Sequence, residues 1–184
     1  MYRRIIVATV IALSCVLISC SDQHDQVESI TDRAKTPRLR AFDVSSVVSD
    51  SGVTRYRMNA KEWLIYDQAE EPYWEFPQGI WVEKFNPDLK VDAEIRSKYA
   101  IYYERQKLWD LRDSVHAMNL QGEQFECDQL FWDEKMEKVY SDTRIKITQQ
   151  GNREIMGEGF ESNQQLTRYM IRRPIGTIHV NESE

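Results

Sequence analysis

Residues 97–171 decide the fold, because they say nearly the same thing two and a half times. Tyr102-Tyr103-Glu104 leads to Leu108-Trp109-Asp110, Val115-His116-Ala117, Gly122 and Phe125. Phe131-Trp132-Asp133 leads in turn to Val139-Tyr140-Ser141, Ile145-Lys146-Ile147, Gly151 and Ile155. The steps Val115 to Ile145, Phe125 to Ile155 and Leu130 to Phe160 are each 30 residues, and a third unit fades after Ile171. A period of this size marks supersecondary units that bury a core only by stacking. Inside each unit the period is two. Val115 and Ala117 oppose His116 and Met118, and Ile145 and Ile147 oppose Arg144, Lys146 and Thr148. The same rule puts Phe125, Cys127 and Phe131 on one side of their segment and Leu130 and Trp132 on the other. Such alternation describes strands with one buried face, and the aromatic and β-branched content agrees. Short polar turns separate the strands at Arg105–Lys107, Gln121–Glu123, Glu134–Glu137 and Gln149–Asn152, as in antiparallel hairpins. An ordinary β-sandwich with evenly spaced hairpins is the alternative to a repeated β-layer.

The chain has 184 residues, suited to one domain, with 41% hydrophobic and 11% aromatic residues to build its core. Its net charge of −6 and lack of a basic patch argue against nucleic acid as a partner. Beyond residue 20 no apolar run is long enough to span a bilayer. The first 20 residues are different. Arg3 and Arg4 precede an apolar stretch, Ile5–Ile18, which ends in Leu17-Ile18-Ser19-Cys20 and gives way to Ser21-Asp22-Gln23. This is the layout of a secretory signal. Its last four residues resemble the lipobox of bacterial lipoproteins, which implies cleavage before Cys20 and acylation of its thiol. Several acyl chains would hold a domain on a bilayer where one chain anchors it only marginally. The expected organisation is a signal over 1–19, a lipidated polar tether over 20–41 and a folded domain over 42–184. About fifteen flexible tether residues reach roughly 20 Å. Cys127 is the only cysteine after Cys20, so the folded domain holds no internal disulfide, and its position among aromatics points to a core thiol.

The order of motifs after the tether is informative. Tyr56–Lys61 and Tyr66-Asp67 precede Phe76-Pro77-Gln78-Gly79-Ile80-Trp81-Val82-Glu83. Lys98–Tyr103, the two repeat units and Gly157-Glu158-Gly159-Phe160-Glu161-Ser162 follow. Over about residues 42–180 this order resembles the LptC family of lipopolysaccharide-export proteins, and the lipobox resembles the versions found in Bacteroidetes-type bacteria. Better-studied members keep a transmembrane anchor instead. The resemblance implies an all-β fold, an elongated, twisted antiparallel jellyroll open along one side like a boat or V-shaped trough. It implies a place on the periplasmic side of the inner membrane. It also implies partners: lipopolysaccharide through its lipid A acyl chains, the inner-membrane ABC transporter, and the next periplasmic jellyroll of the bridge.

If the trough carries acyl chains, the inward face of each strand touches them. The interior set is then Ile80, Val82, Ile101, Tyr103, Val115, Ala117, Phe125, Ile145, Ile147 and Ile155, supported by the aromatics Trp81, Tyr99, Trp109, Trp132, Phe160 and Tyr169. A sandwich core would want the same aromatic stripe. The segment carrying Tyr169, Ile171 and Ile178 is the expected edge for strand addition by a partner, and Pro174 suits an edge. His24, His116 and His179 are too scattered for a metal site. No phosphate loop, nucleophile elbow or cofactor motif is present. The readings to be separated are a lipid-transfer module, a structural lipoprotein that binds through sheet edges, and a glycan-binding or glycan-cleaving jellyroll.

Overall fold

The computed structural model describes residues 34–151 and 153–176. The signal, Cys20, His24, most of the tether, Ile178 and His179 lie outside the described residues. Among the described residues eleven strands form one antiparallel sheet: β1 (Leu39–Asp50), β2 (Val53–Tyr66), β3 (Tyr73–Phe76), β4 (Ile80–Phe85), β5 (Val91–Ser97), β6 (Tyr99–Tyr103), β7 (Leu108–Asn119), β8 (Gln124–Asp133), β9 (Lys138–Gln149), β10 (Arg153–Asn163) and β11 (Tyr169–Ile175). Among the described residues the fold is all-β, a jellyroll-like ladder. Strand β1 starts at Leu39, three residues before the expected domain boundary.

The pairing explains why one sheet encloses a core. Strand β2 pairs with β4 through Tyr56–Ala60 but with β3 through Leu64–Tyr66. Strand β7 pairs with β5 through His116–Asn119 but with β6 through Leu108–Arg112. Each long strand therefore bends and contributes to two walls. The first wall holds β4, β5 and the 115–119, 124–127 and 145–149 parts of β7, β8 and β9. The second holds β3, β6 and their 108–112, 129–133 and 138–141 parts. Strands β3 and β4 together make one bent layer, and β5 and β6 make the next. The chain runs up one layer and down the following one, so a full out-and-back pass from the start of β7 to the start of β9 is the 30-residue repeat.

Irregular backbone marks the bend in successive layers. Register breaks fall between Arg112 and Val115 in β7, Cys127 and Phe131 in β8, and Glu158 and Phe160 in β10. Asp113, Ser114 and Gly159 take positive φ there, as bulged strands require. Between β3 and β4 the corner is Gly79, at φ +87; a Cβ there would meet the Ser97 carbonyl oxygen at 2.5 Å. Only glycine lets these two corners stack so closely.

The bulge in β8 corrects one sequence expectation. Phe125 and Cys127 face the core as expected, but so do Leu130 and Trp132, while Phe131 points out and stacks on Tyr140 at 5.1 Å. The extra residue at the bend shifts the phase of the alternation, which keeps the apolar side inward on both walls. The core residues Phe76, Leu111, Val115, Phe125, Leu130, Val139, Ile145, Ile147 and Phe160 are all at most 1% exposed.

Stacked turns are stitched at the repeat distance. Lys135 Nζ donates to the Arg105 carbonyl and Gln150 Nε2 to that of Gln121. The Glu134 N–H donates to the Lys107 carbonyl. Such contacts hold the layers in register where ladder hydrogen bonds run out.

Candidate functional site

The two walls meet tightly over part of their length and stand apart over the rest. Where they part, a slot of about 400 Å³ opens between them. Its first-wall side is Val48, Tyr56, Met58 and Val82. Its second-wall side is Trp74, Tyr102, Trp109 and Trp132. Period-two alternation aims these side chains: Met58 and Ala60 are buried on β2, and Trp109 and Leu111 on β7. The rings form a connected row. Trp74 and Tyr102 lie 5.0 Å apart, Tyr102 and Trp109 4.6 Å, and Trp109 and Trp132 6.1 Å. Tyr56 reaches across from the first wall and meets Trp132 edge-on at 5.1 Å.

Polar groups collect at the mouth. The indole N–H of Trp74 donates to Glu104, and that of Trp109 donates to Glu134 at 2.9 Å. Glu104 and Glu134 are one repeat apart, so the same tip position supplies the same acceptor in two layers. Arg105 and Lys107 stand beside them as the cations of the rim, with Lys107 Nζ 5.9 Å from the Tyr102 ring centre. Burial, then the Glu134 charge, pushes the Tyr56 hydroxyl up to about 12. The same two causes raise Tyr102 further. Both hydroxyls therefore stay protonated at neutral pH. The arrangement is an apolar, ring-lined groove with a charged lip, suited to holding alkyl chains against its walls and anionic groups at its edge.

The expected interior residues fall into three places. Val82 lines the slot. Ile80, Val115, Ala117, Phe125, Ile145 and Ile147 face inward and are buried in the packed core, with Ile155 partly buried against it. Ile101 and Tyr103 are corrections: the core face of β6 carries Ala100 and Tyr102, and its neighbours Ile101 and Tyr103 lie on the opposite face, half-buried. Tyr103 pairs there with Tyr73 and Ile101 with Glu75. Among the supporting aromatics, Trp81 also faces out, beneath the Arg96 guanidinium at 4.8 Å, and Tyr99 donates to Glu75 at 2.8 Å. A five-residue strand of nearly uniform apolar character, Tyr99–Tyr103, offers no polar residue to set its phase, which explains the error.

Sequence reasoning missed Val48, Tyr56, Met58, Trp74 and Tyr102. They lie mostly before the repeat, where no internal copy drew attention to them; the alternation of Tyr56, Met58 and Ala60 was the available signal. At the expected partner edge, β11 is the last strand of the ladder and pairs only with β10 among the described residues. The Tyr169 and Ile171 side chains turn inward onto the core, so the strand offers a partner its backbone edge. Pro174 sits within it, opposite Gly157.

Among the described residues no cluster of potential metal ligands occurs and no helix is long and apolar enough to cross a membrane. Cys127 is buried, and its burial pushes the thiol up to about 12. No curated protein matches the chain. A family model does. The model described as "Lipopolysaccharide-assembly, LptC-related" matches residues 5–173, starting inside the apolar N-terminal segment and running through ten strands and most of the last. Members of that family are periplasmic, associated with the inner membrane, and bind lipopolysaccharide as part of its transport machinery. A bent-strand jellyroll matched over nearly its whole length places this chain in the LptC family, and with it in lipopolysaccharide transport.

Proposed function

We propose that this chain is the membrane-anchored link of a lipopolysaccharide bridge, taking the lipid from an inner-membrane ABC transporter and passing it to the next periplasmic jellyroll. The observation that carries the reading is the aromatic slot. It is apolar and opens to solvent, its rim bears Arg105 and Lys107, and it belongs to a chain of a lipopolysaccharide-binding family. In this reading the acyl chains lie against Tyr56, Met58, Trp74, Tyr102, Trp109 and Trp132. The headgroup phosphates meet the two cations while the sugars stay in water. Lipidation at Cys20 after removal of residues 1–19 anchors the domain, and residues 20–38 act as the tether. The two ends of the ladder serve the neighbours. Strand β1 pairs only with β2 among the described residues and exposes Leu39, Phe42, Val47 and Val48; β11 offers the other free edge. Strand addition at such edges stacks jellyrolls end to end.

Filling the slot tests this. Val48 is 44% exposed at the rim, so a Trp there costs little in folding. In protein extracted from membranes, Val48→Trp is expected to carry several-fold less lipopolysaccharide per molecule than wild type, with an unchanged melting temperature. The transporter subunits are expected to co-purify with both. Undiminished lipopolysaccharide on the variant sinks the slot as the lipid site, and absence of the transporter from both sinks the bridge assignment.

A further inference from the structure

Trp132 and Val82 line the slot at one side. The same two residues also bound a second, much smaller void of about 10 Å³, whose other walls are Lys84, Ala93, Ile95 and Gln164. Gln164 belongs to the turn between β10 and β11, one repeat after Glu134. That turn behaves unlike its predecessors. Its Leu166 is fully buried, whereas Leu120 and Met136 in the preceding turns are 56% and 67% exposed. Leu166 takes φ +57, as Lys107 and Glu137 do in the preceding turns, so the difference lies in where its side chain is buried and not in the backbone. The turn comes from the second wall, yet its tip is held by the first. Asn119, at the end of β7 and 4% exposed, donates from Nδ2 to the Leu166 carbonyl at 3.0 Å and to Glu123 Oε2 at 2.8 Å. The Glu123 N–H donates back to Asn119 Oδ1 at 2.9 Å, which fixes the amide's orientation. Glu123 Oε1 accepts from Gln149 Nε2 at 3.1 Å and from the Tyr169 hydroxyl at 3.3 Å. One hydrogen-bonded net thus closes the two walls over Phe125, Ile147 and Phe160.

We infer that the Asn163–Arg168 turn is a plug, clasped shut by Asn119, which separates the slot from the β11 end of the trough. When Asn119 releases the Leu166 carbonyl, Leu166 and Gln164 withdraw, and the slot and the small void join into one path beside β10 and β11. The turn is built to move as a unit. Asn163 Oδ1 accepts from the N–H groups of Thr167 and Arg168, both at 3.0 Å, and the Leu166 N–H donates to the Asn163 carbonyl, so its internal bonds survive withdrawal. The inference rests on the lipid-slot reading for its purpose but not for its mechanics.

The test has two arms, both on the full chain. Hydrogen exchange without lipid reads the clasp. Asn119→Ala is expected to speed exchange of the 163–168 amides at least tenfold while β7–β9 amides keep their rates. Unchanged exchange in the turn, or acceleration spread evenly over the sheet, overturns the clasp. Leu166→Ala, which keeps the Asn119 contact but shortens the plug, is expected to give the same local acceleration. The second arm uses lipopolysaccharide and photoreactive residues placed singly at Tyr56 in the slot and Ile155 beyond the plug. Wild type is expected to capture lipid strongly at Tyr56 and weakly at Ile155, and Asn119→Ala to raise capture at Ile155 several-fold. Capture at Ile155 that is already equal in wild type, or indifferent to Asn119, overturns the plug. Failure of capture at Tyr56 itself contradicts the lipid-slot reading, and the exchange arm still decides the clasp.

Discussion

The trough has two halves made from the same repeat, and they are filled differently. Toward β11, Phe125, Ile145, Ile147 and Phe160 close on one another and on Leu166 until none is more than 1% exposed. Toward β1, Trp74, Tyr102, Trp109 and Trp132 line a second wall that Met58 and Val82 face across the slot, with Tyr56 reaching over to Trp132. The layers are alike in both halves; what differs is what enters between the walls. In the closed half a turn folds inward and brings a leucine; in the open half the turn residues Glu104, Arg105, Lys107 and Glu134 only line the mouth, and a void remains between the rings and the facing wall. The closed half supplies stability by close packing. The open half leaves a void between apolar walls, and its lining forgoes packing contacts that a ligand would supply.

The comparison breaks most visibly under an introduced charge. Ile145→Asp puts an unpaired carboxylate at a fully buried position and should cost several kcal/mol, on the order of the whole stability of a domain. Val48→Asp sits at the slot rim and should stay within about 0.5 kcal/mol, as exposed substitutions do. Denaturant titration of both variants reads the difference, and equal losses would mean that the slot is core after all.

A smaller effect is expected at the edge of the closed half. A Cβ on Gly157 would lie 2.2 Å from Ile171 Cγ2 and 2.7 Å from the Arg173 carbonyl oxygen. Gly157→Ala must push β11 off β10, at a cost of about 1–3 kcal/mol typical of overpacking. Faster hydrogen exchange in β11 than in β7 would locate that loss; an unchanged β11 would show that the strand is not held by this contact.

The smallest effect distinguishes the halves by pH. Tyr56, held up to about 12 by burial and by Glu134, belongs to the open half. Because its folded value lies above the ordinary 10, its contribution is whole below pH 10 and is lost as pH rises toward 12. Cys127, in the closed half, follows the same sign from its ordinary 9 to about 12. Unfolding free energy should therefore fall above pH 9–10, and Tyr56→Phe should flatten the upper part of that fall. An identical slope in the variant would assign the alkaline loss to other groups. At pH 8 the folded protein's Cys127 should resist thiol reagents that attack it after unfolding.

These differences also show what the sequence could and could not reveal. The 30-residue ladder, the hairpin turns and the inward Val115, Ala117, Ile145 and Ile147 were legible because alternation and turn chemistry are local. The bend was not. Nothing in Cys127-Asp128-Gln129-Leu130 announces that one extra residue reverses the phase, and Phe131 was placed on the wrong side for that reason. Tyr103 and Ile101 were misplaced because a strand apolar on both faces carries no phase. The slot was least legible of all, since it exists through what a distant turn does: Leu166 fills one half from 47 positions beyond Asn119 and leaves the other empty. The aromatic residues were visible, but their division into packing and lining depends on contacts across the walls.

The most direct measurement compares the two faces of the open half. Photoreactive residues placed singly at Tyr56, inside the slot, and at Tyr103, on the outer face of β6, would be exposed to light in cells making lipopolysaccharide. The account predicts a lipopolysaccharide adduct from Tyr56 and none from Tyr103. Adducts of equal strength at the two positions, or an adduct at Tyr103 alone, would contradict it.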